Sequence, residues 1–158
     1  MDDGNPIPSI PGYRIDRHVG SGGMGAVYRA QAEGREHTLA LKLLHSADAA
    51  QSAALRAEFR LLTTLDHPAL VRVHDFGYLD DGRAWYAMDW VDGQPIAPAL
   101  LRDAEGTIDT ARCAAIIADI TAALQYIHSQ HVLHGDIKPA NILVETREGQ
   151  PFVRLMDF

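Results

Sequence analysis

The chain has 158 residues, with 14 Lys and Arg against 21 Asp and Glu, for a formal net charge of -7. That length allows one domain with a real buried core, and the acidic balance argues against broad binding to nucleic acid or to an anionic membrane. The single cysteine, Cys113, excludes an intramolecular disulfide, fits a reducing compartment, and reads as a small core residue and not a reactive thiol.

Residues 1–12 carry Asp2 and Asp3 where a signal peptide would be basic, and Pro6, Pro8 and Pro11 interrupt any regular element. They read as a flexible leader, with order beginning at Tyr13. No stretch reaches the roughly 18 apolar residues of a membrane span, and a cytoplasmic location is the expectation. Residues 13–19 alternate as a strand, Gly20-Ser21-Gly22-Gly23-Met24-Gly25 turns, and residues 26–30 resume a strand. Glycines at 20, 22 and 25 let the backbone approach a phosphate closely, with N–H groups able to point at it. The spacing Gly-x-Gly-x-x-Gly also serves dinucleotide-binding folds, where a helix follows. Here Val27-Tyr28-Arg29-Ala30 favours a strand, hence a lid over a nucleotide.

In residues 37–44, Leu39, Leu41 and Leu43 share one face, and Ala40, Lys42 and Leu44 the other. A lysine inside so apolar a strand must snorkel to water or pair with an anion. Over residues 49–65, Leu55, Leu62 and Leu65 form a helical stripe that includes Glu58. A carboxylate on a core-facing stripe needs a cation, and Lys42 is available; the alternative is a Glu58 that borders the stripe in water. Asp66-His67-Pro68 stops the helix, and residues 70–79 and 83–91 read as strands joined by the hairpin signal Asp80-Asp81-Gly82. A five-stranded antiparallel sheet with one helix is predicted.

Residues 94–109 are weakly patterned, with a short helix expected around 97–101. From Asp109, a plausible N-cap, a longer helix runs to about His128, with Ile116, Ile120, Ala123, Leu124 and Ile127 on one face. His128, His131 and His134 recur every third residue, but a zinc site needs same-face spacing and further ligands, so no metal is assigned to them. The stretch from Val132 to Val144 brackets His134-Gly135-Asp136-Ile137-Lys138-Pro139-Ala140-Asn141 between apolar anchors. Asp136 offers a carboxylate to accept a proton, Lys138 a cation for developing negative charge, and Asn141 an amide oxygen for a metal. Phosphoryl transfer needs those parts. Residues 142–144 and 151–156 form a second small hairpin, followed by Asp157-Phe158.

Residues 134–141 resemble the catalytic loop of protein kinases, His-Arg-Asp-x-Lys-x-x-Asn, at every named position except Gly135. The glycine-rich hairpin, Lys42, Glu58 and the Asp157-Phe158 start of an Asp-Phe-Gly motif add four further points of resemblance at compatible spacing. The resemblance covers residues 13–158. It implies an α+β, protein-kinase-like fold: an antiparallel five-stranded N-lobe with one helix and the hinge at 13–91, then the first part of a helical C-lobe at 92–158, truncated at Asp-Phe. It also implies ATP and Mg2+. Gly20, Gly22 and Gly25 would lie over the phosphates, with Val27, Ala40, Met88, Asp89, Val91 and Leu143 around the nucleotide. Among these, Val27 would cover the adenine, Met88 would guard the back of its pocket, a role that simple core packing does not exclude, and residues 89–91 would form the hinge. Lys42, paired with Glu58, would hold the α- and β-phosphates, and Asn141 and Asp157 the magnesium. Asp136 would orient a substrate hydroxyl and accept its proton, Lys138 would steady the γ-phosphate, and His134 would support the loop.

Lys138, two residues after Asp136, is the form typical of serine/threonine kinases, so the implied partner is a protein bearing Ser or Thr, with no nucleic acid and no membrane. Gly135 replaces an arginine that in many kinases meets a phosphorylated activation loop, which predicts activation independent of such phosphorylation. Two other readings stand beside this one. A kinase-like binding module without catalysis would be expected to lack a catalytic residue, and none is missing in this range. A small-molecule phosphotransferase of the aminoglycoside or choline type resembles His-Gly-Asp-x-x-x-x-Asn, which Gly135 fits, but Lys138-Pro139 and the 20–28 loop look more like protein kinases.

Overall fold

The computed structural model describes residues 7–34, 37–97, 101–102 and 106–158. The chain forms two compact units, one from residues up to Thr64 together with Arg72–Trp90, the other from Leu65–Val71 together with Val91–Phe158.

The first unit is the predicted five-stranded antiparallel sheet, in the order β1-β2-β3-β5-β4. Its strands are β1 (Tyr13–Ser21), β2 (Gly25–Ala32), β3 (Thr38–Leu44), β4 (Val73–Tyr78) and β5 (Ala84–Asp89). In β3 Leu39, Ala40, Leu41, Leu43 and Leu44 are all buried, and in β5 so are Ala84, Trp85, Tyr86, Ala87 and Met88. These central strands are apolar on both faces, and only Lys42 breaks the run in β3. Helix α1 (Ala49–Leu62) starts where the Asp48 carboxylate accepts the Gln51 N–H at 2.8 Å, and it buries Ser52, Leu55 and Leu62. It ends three residues before the predicted stop. The Thr63 and Thr64 hydroxyls each donate to a carbonyl three residues back at 2.7 Å, an alternative to continuing the helix.

Order also begins before Tyr13. Ile10 is 2% exposed and packs with Tyr28, Leu41 and Trp85 in the core, while the Tyr13 N–H donates to its carbonyl at 3.1 Å. Gly12, at φ +81°, reverses the chain between them. A buried isoleucine thus anchors a segment whose prolines suggested only a leader; residues 1–6 of that leader lie outside the described residues.

The second unit holds β6 (Gln94–Pro95), α2 (Thr110–Ser129), a 3-10 turn (Pro139–Asn141), β7 (Ile142–Arg147) and β8 (Gln150–Leu155), with the sheet order β6-β7-β8. Asp109 caps α2 by accepting the Arg112 N–H at 2.9 Å. Ile116, Ala123 and Ile127 are buried on the predicted face, and Ile120 and Leu124 are half-buried. The Val153 N–H of β8 donates to Asp119 of α2 at 3.1 Å. The strand expected from residue 70 begins instead at Val73, because Ala69 and Val71 bond to Leu155 of β8 at 2.7 and 3.0 Å. The expected short helix around 97–101 falls mostly on 98–100, outside the described residues. No helix among the described residues is long and apolar enough to cross a membrane.

Candidate active site

In the first unit, the sheet register sets Lys42 opposite Val27 of β2 and Tyr86 of β5. Its ammonium lies 3.0 Å from Glu58 Oε1, and both side chains are only 13% exposed. Pairing therefore wins over snorkelling: at that depth the amine gains a carboxylate, and the carboxylate loses the penalty of burial alone. The Tyr86 hydroxyl donates to the same Glu58 oxygen at 2.8 Å, and the Lys42 ammonium lies 5.5 Å from the Tyr86 ring centroid. Sequence reasoning missed Tyr86, since a tyrosine in an apolar strand reads as packing until its cross-strand neighbour is known.

Ala40 and Met88 are register partners across β3 and β5, and both are buried. Asp89 points its carboxylate at His74, 2.7 Å away, and spends its N–H on the Arg72 carbonyl at 2.9 Å.

The glycine-rich turn differs from expectation in two places. The Gly22 N–H donates to the Gly25 carbonyl at 2.8 Å, closing the turn on itself, so it is not directed at a ligand. A Cβ on Gly25 would lie 2.4 Å from the Leu43 carbonyl oxygen, so β3 alone already requires glycine there. Gly20 and Gly22 face open space, as expected for backbone that a ligand can approach.

In the second unit, the loop after α2 carries the polar cluster. Asp136 is exposed, and its Oδ2 accepts from Lys138 Nζ at 2.6 Å and from Asn141 Nδ2 at 2.9 Å. The Lys138 hydrogen bond, more than that of Asn141, holds the Asp136 carboxyl below its usual range against a smaller opposing effect of desolvation. Gly135 adopts φ +78°, a left-handed turn of the backbone that glycine takes without strain. The glycine therefore has a conformational role as well as marking a missing guanidinium.

Asn141 is buried at the end of the 3-10 turn, and its Nδ2 also donates to the Asp136 carbonyl at 3.0 Å. The Met156 N–H donates to the Asn141 carbonyl at 3.1 Å, tying the exit of β8, and Asp157 after it, to the loop. With its nitrogen committed twice to Asp136, the Asn141 amide turns its oxygen to the other side. That oxygen and the Asp157 carboxylate are hard donors, few in number, as magnesium takes when phosphates complete its shell. Among the described residues, no group of three or more His, Cys, Asp or Glu is placed to hold a metal by itself.

His134 is 4% exposed, stacks on Phe158 with ring centroids 4.5 Å apart, and accepts the Asp136 N–H at its Nδ1 over 3.4 Å. Burial pushes its pKa down. Of the remaining predicted positions, Val91 is buried in the second unit, and Leu143 is half-buried in β7 opposite Pro95 and Arg154.

The model of the protein kinase domain family matches residues 13–158. The serine/threonine-protein kinase PknJ of Mycobacterium tuberculosis (strain H37Rv) is 41% identical over 152 residues, which take in 93% of this chain and 25% of that protein. The serine/threonine-protein kinase pkn3 of Myxococcus xanthus is 35% identical over 150 residues, 92% of this chain and 27% of the relative. The chain thus spans about a quarter of the length of the curated relatives it matches. The crystal structure of the Mycobacterium tuberculosis PknI kinase domain is similar at a TM-score of 0.73 and 32% identity, over 96% of this chain and 61% of that one.

Proposed function

Because the chain belongs to the protein kinase family, we propose that it binds ATP with Mg2+ and transfers the γ-phosphoryl group to a Ser or Thr hydroxyl of a protein substrate. The observation that carries this reading is the Asp136 carboxylate, exposed, kept ionised, and fixed through one oxygen by Lys138 and Asn141. Its Oδ1 is left to accept the hydrogen bond of a substrate hydroxyl. A carboxylate with a lowered pKa is a weak base, so Asp136 acts first by orienting that hydroxyl. The proton moves to it as the hydroxyl oxygen bonds to the γ-phosphorus and the bond to the β-phosphate oxygen breaks, leaving ADP.

Lys138 offsets charge on the γ-phosphate. Lys42 offers its ammonium to the α- and β-phosphates, while Glu58 and Tyr86 fix its position. Asn141 and Asp157 would hold magnesium, whose chemistry there is the neutralisation of phosphate oxygens. Val27, Ala40, Met88, Asp89, Val91 and Leu143 are the proposed surroundings of the nucleotide. A cytoplasmic site of action belongs to the same reading, and the lone Cys113 is consistent with a reducing compartment.

The test is phosphate transfer from γ-labelled ATP to a pool of Ser/Thr peptides, run beside a panel of amino-sugars. Transfer to peptide that disappears in Asp136→Asn supports the proposal. Transfer to the amino-sugars alone would move the assignment to a small-molecule phosphotransferase.

A further inference from the structure

A residue outside the glycine-rich turn is bonded to it at two points. His45 follows the last residue of β3 and touches the turn twice. Its ring Nε2 lies 3.0 Å from the Gly22 carbonyl oxygen, and its backbone N–H donates to the Met24 carbonyl at 3.1 Å. A carbonyl oxygen only accepts, so Nε2 carries the hydrogen and donates. Either the neutral tautomer protonated at Nε2 or the imidazolium can do this.

Both bonds fix peptide planes. In a trans peptide the C=O and the following N–H point in opposite directions. Holding the Gly22 carbonyl toward the His45 ring therefore aims the Gly23 N–H away from it. On Gly23 even an added Cβ would meet nothing within 4 Å, so the residue stands in open space. The Gly22 N–H is already committed to Gly25, which leaves the Gly23 N–H as a donor that the turn can present to an anion.

Resting on the phosphate-site reading above, we propose that His45 is a positioning residue for ATP: through the Gly22 carbonyl it orients the Gly23 N–H toward a nucleotide phosphate. The ring touches no substrate. It removes the freedom of a glycine-rich segment that would otherwise have to be ordered on binding.

The test compares dissociation constants for Mg-ATP and for adenosine, which lacks phosphate, in the wild type, His45→Ala, His45→Gln and Lys42→Met. The alanine variant keeps the backbone bond to Met24 and loses only the ring. Loss of one exposed hydrogen bond should weaken Mg-ATP binding by about three- to tenfold, leave adenosine unchanged, and be largely restored by glutamine, whose amide can donate at similar reach. Equal weakening of both ligands, unchanged Mg-ATP binding, or no recovery with glutamine would overturn the role given to His45. If the wild type binds no Mg-ATP, or Lys42→Met binds it as tightly as the wild type, the phosphate-site reading itself fails and the role of His45 falls with it.

Discussion

Lys138 and Asn141 converge on one oxygen of Asp136, which fixes how that residue responds to pH. Lys138 contributes most to keeping the carboxyl below its usual range, so the acid limb of transfer activity should lie below about pH 4, the ordinary region for an aspartate. Removing the cation takes away the larger of the lowering effects, and Lys138→Ala should move that limb upward; a pH–rate profile of the two proteins in which the limbs coincide would contradict the assignment. His134 behaves in the opposite sense. Its burial favours the neutral ring, so the folded state takes up a proton less readily than the unfolded chain, whose histidine titrates near 6.5. The stability tied to this ring is full above that value and is lost as pH falls through the lowered folded value. Urea midpoints from pH 7.5 down to 5 should therefore drop further for the wild type than for His134→Phe, and parallel curves would remove the link. At this scale the sequence showed the charged pair well, since Lys42 and Glu58 each stood out against apolar neighbours. It did not show Tyr86, because a hydroxyl aimed at Glu58 across 28 residues leaves no local pattern.

Among the elements, the β1–β2 hairpin separates two jobs that one glycine motif had merged. A methyl group on Gly25 would press on the Leu43 carbonyl at 2.4 Å, a backbone atom in a paired strand that has no room to retreat. Gly25→Ala should therefore cost about 2 kcal/mol or more of stability by parting β2 from β3, whereas Gly20→Ala, facing open space, should stay within about 0.5 kcal/mol. Denaturant unfolding of both variants gives the comparison, and equal losses would mean the strand contact is not what holds Gly25. The five strands, both helices and the Asp109 N-cap were legible because alternation, helical spacing and a capping side chain are local signals, whereas the Asp48 cap of α1 came only from the structure. Ends and partners were less so. Helix α1 stops at two threonine hydroxyls that no apolar period reports. Strand β6 is two residues long and includes Pro95, and it exists because β7 lies beside it, with Gly93 leaving room for the Val144 carbonyl.

For the molecule as a whole, the chain passes between its two units three times, after Thr64, after Val71 and after Trp90. The middle segment, Leu65–Val71, belongs with the second unit although strands of the first unit follow it. Leu65, Ala69, Leu70 and Val71 are buried there, and two backbone hydrogen bonds and a parallel bridge join this segment to Leu155 of β8. A chain ending at Val91 would keep every strand of the first sheet and still leave Ala69, Leu70 and Val71 without their backbone partner in β8. Exposing Leu70 and Val71 forfeits about 1.5–3 kcal/mol each of burial, the Val71 N–H loses its acceptor at Leu155, and the Ala69 carbonyl loses its donor there. In hydrogen exchange, the Val71 amide should then lose its protection in the shortened chain, while the amides that pair β3 with β5 keep theirs, because their partners all lie before residue 91. Equal protection of Val71 in both chains would show that the segment holds its shape without β8. Loss of protection across β3 and β5 as well would show that the first sheet depends on this segment being docked, so that the two units, though compact, do not fold independently.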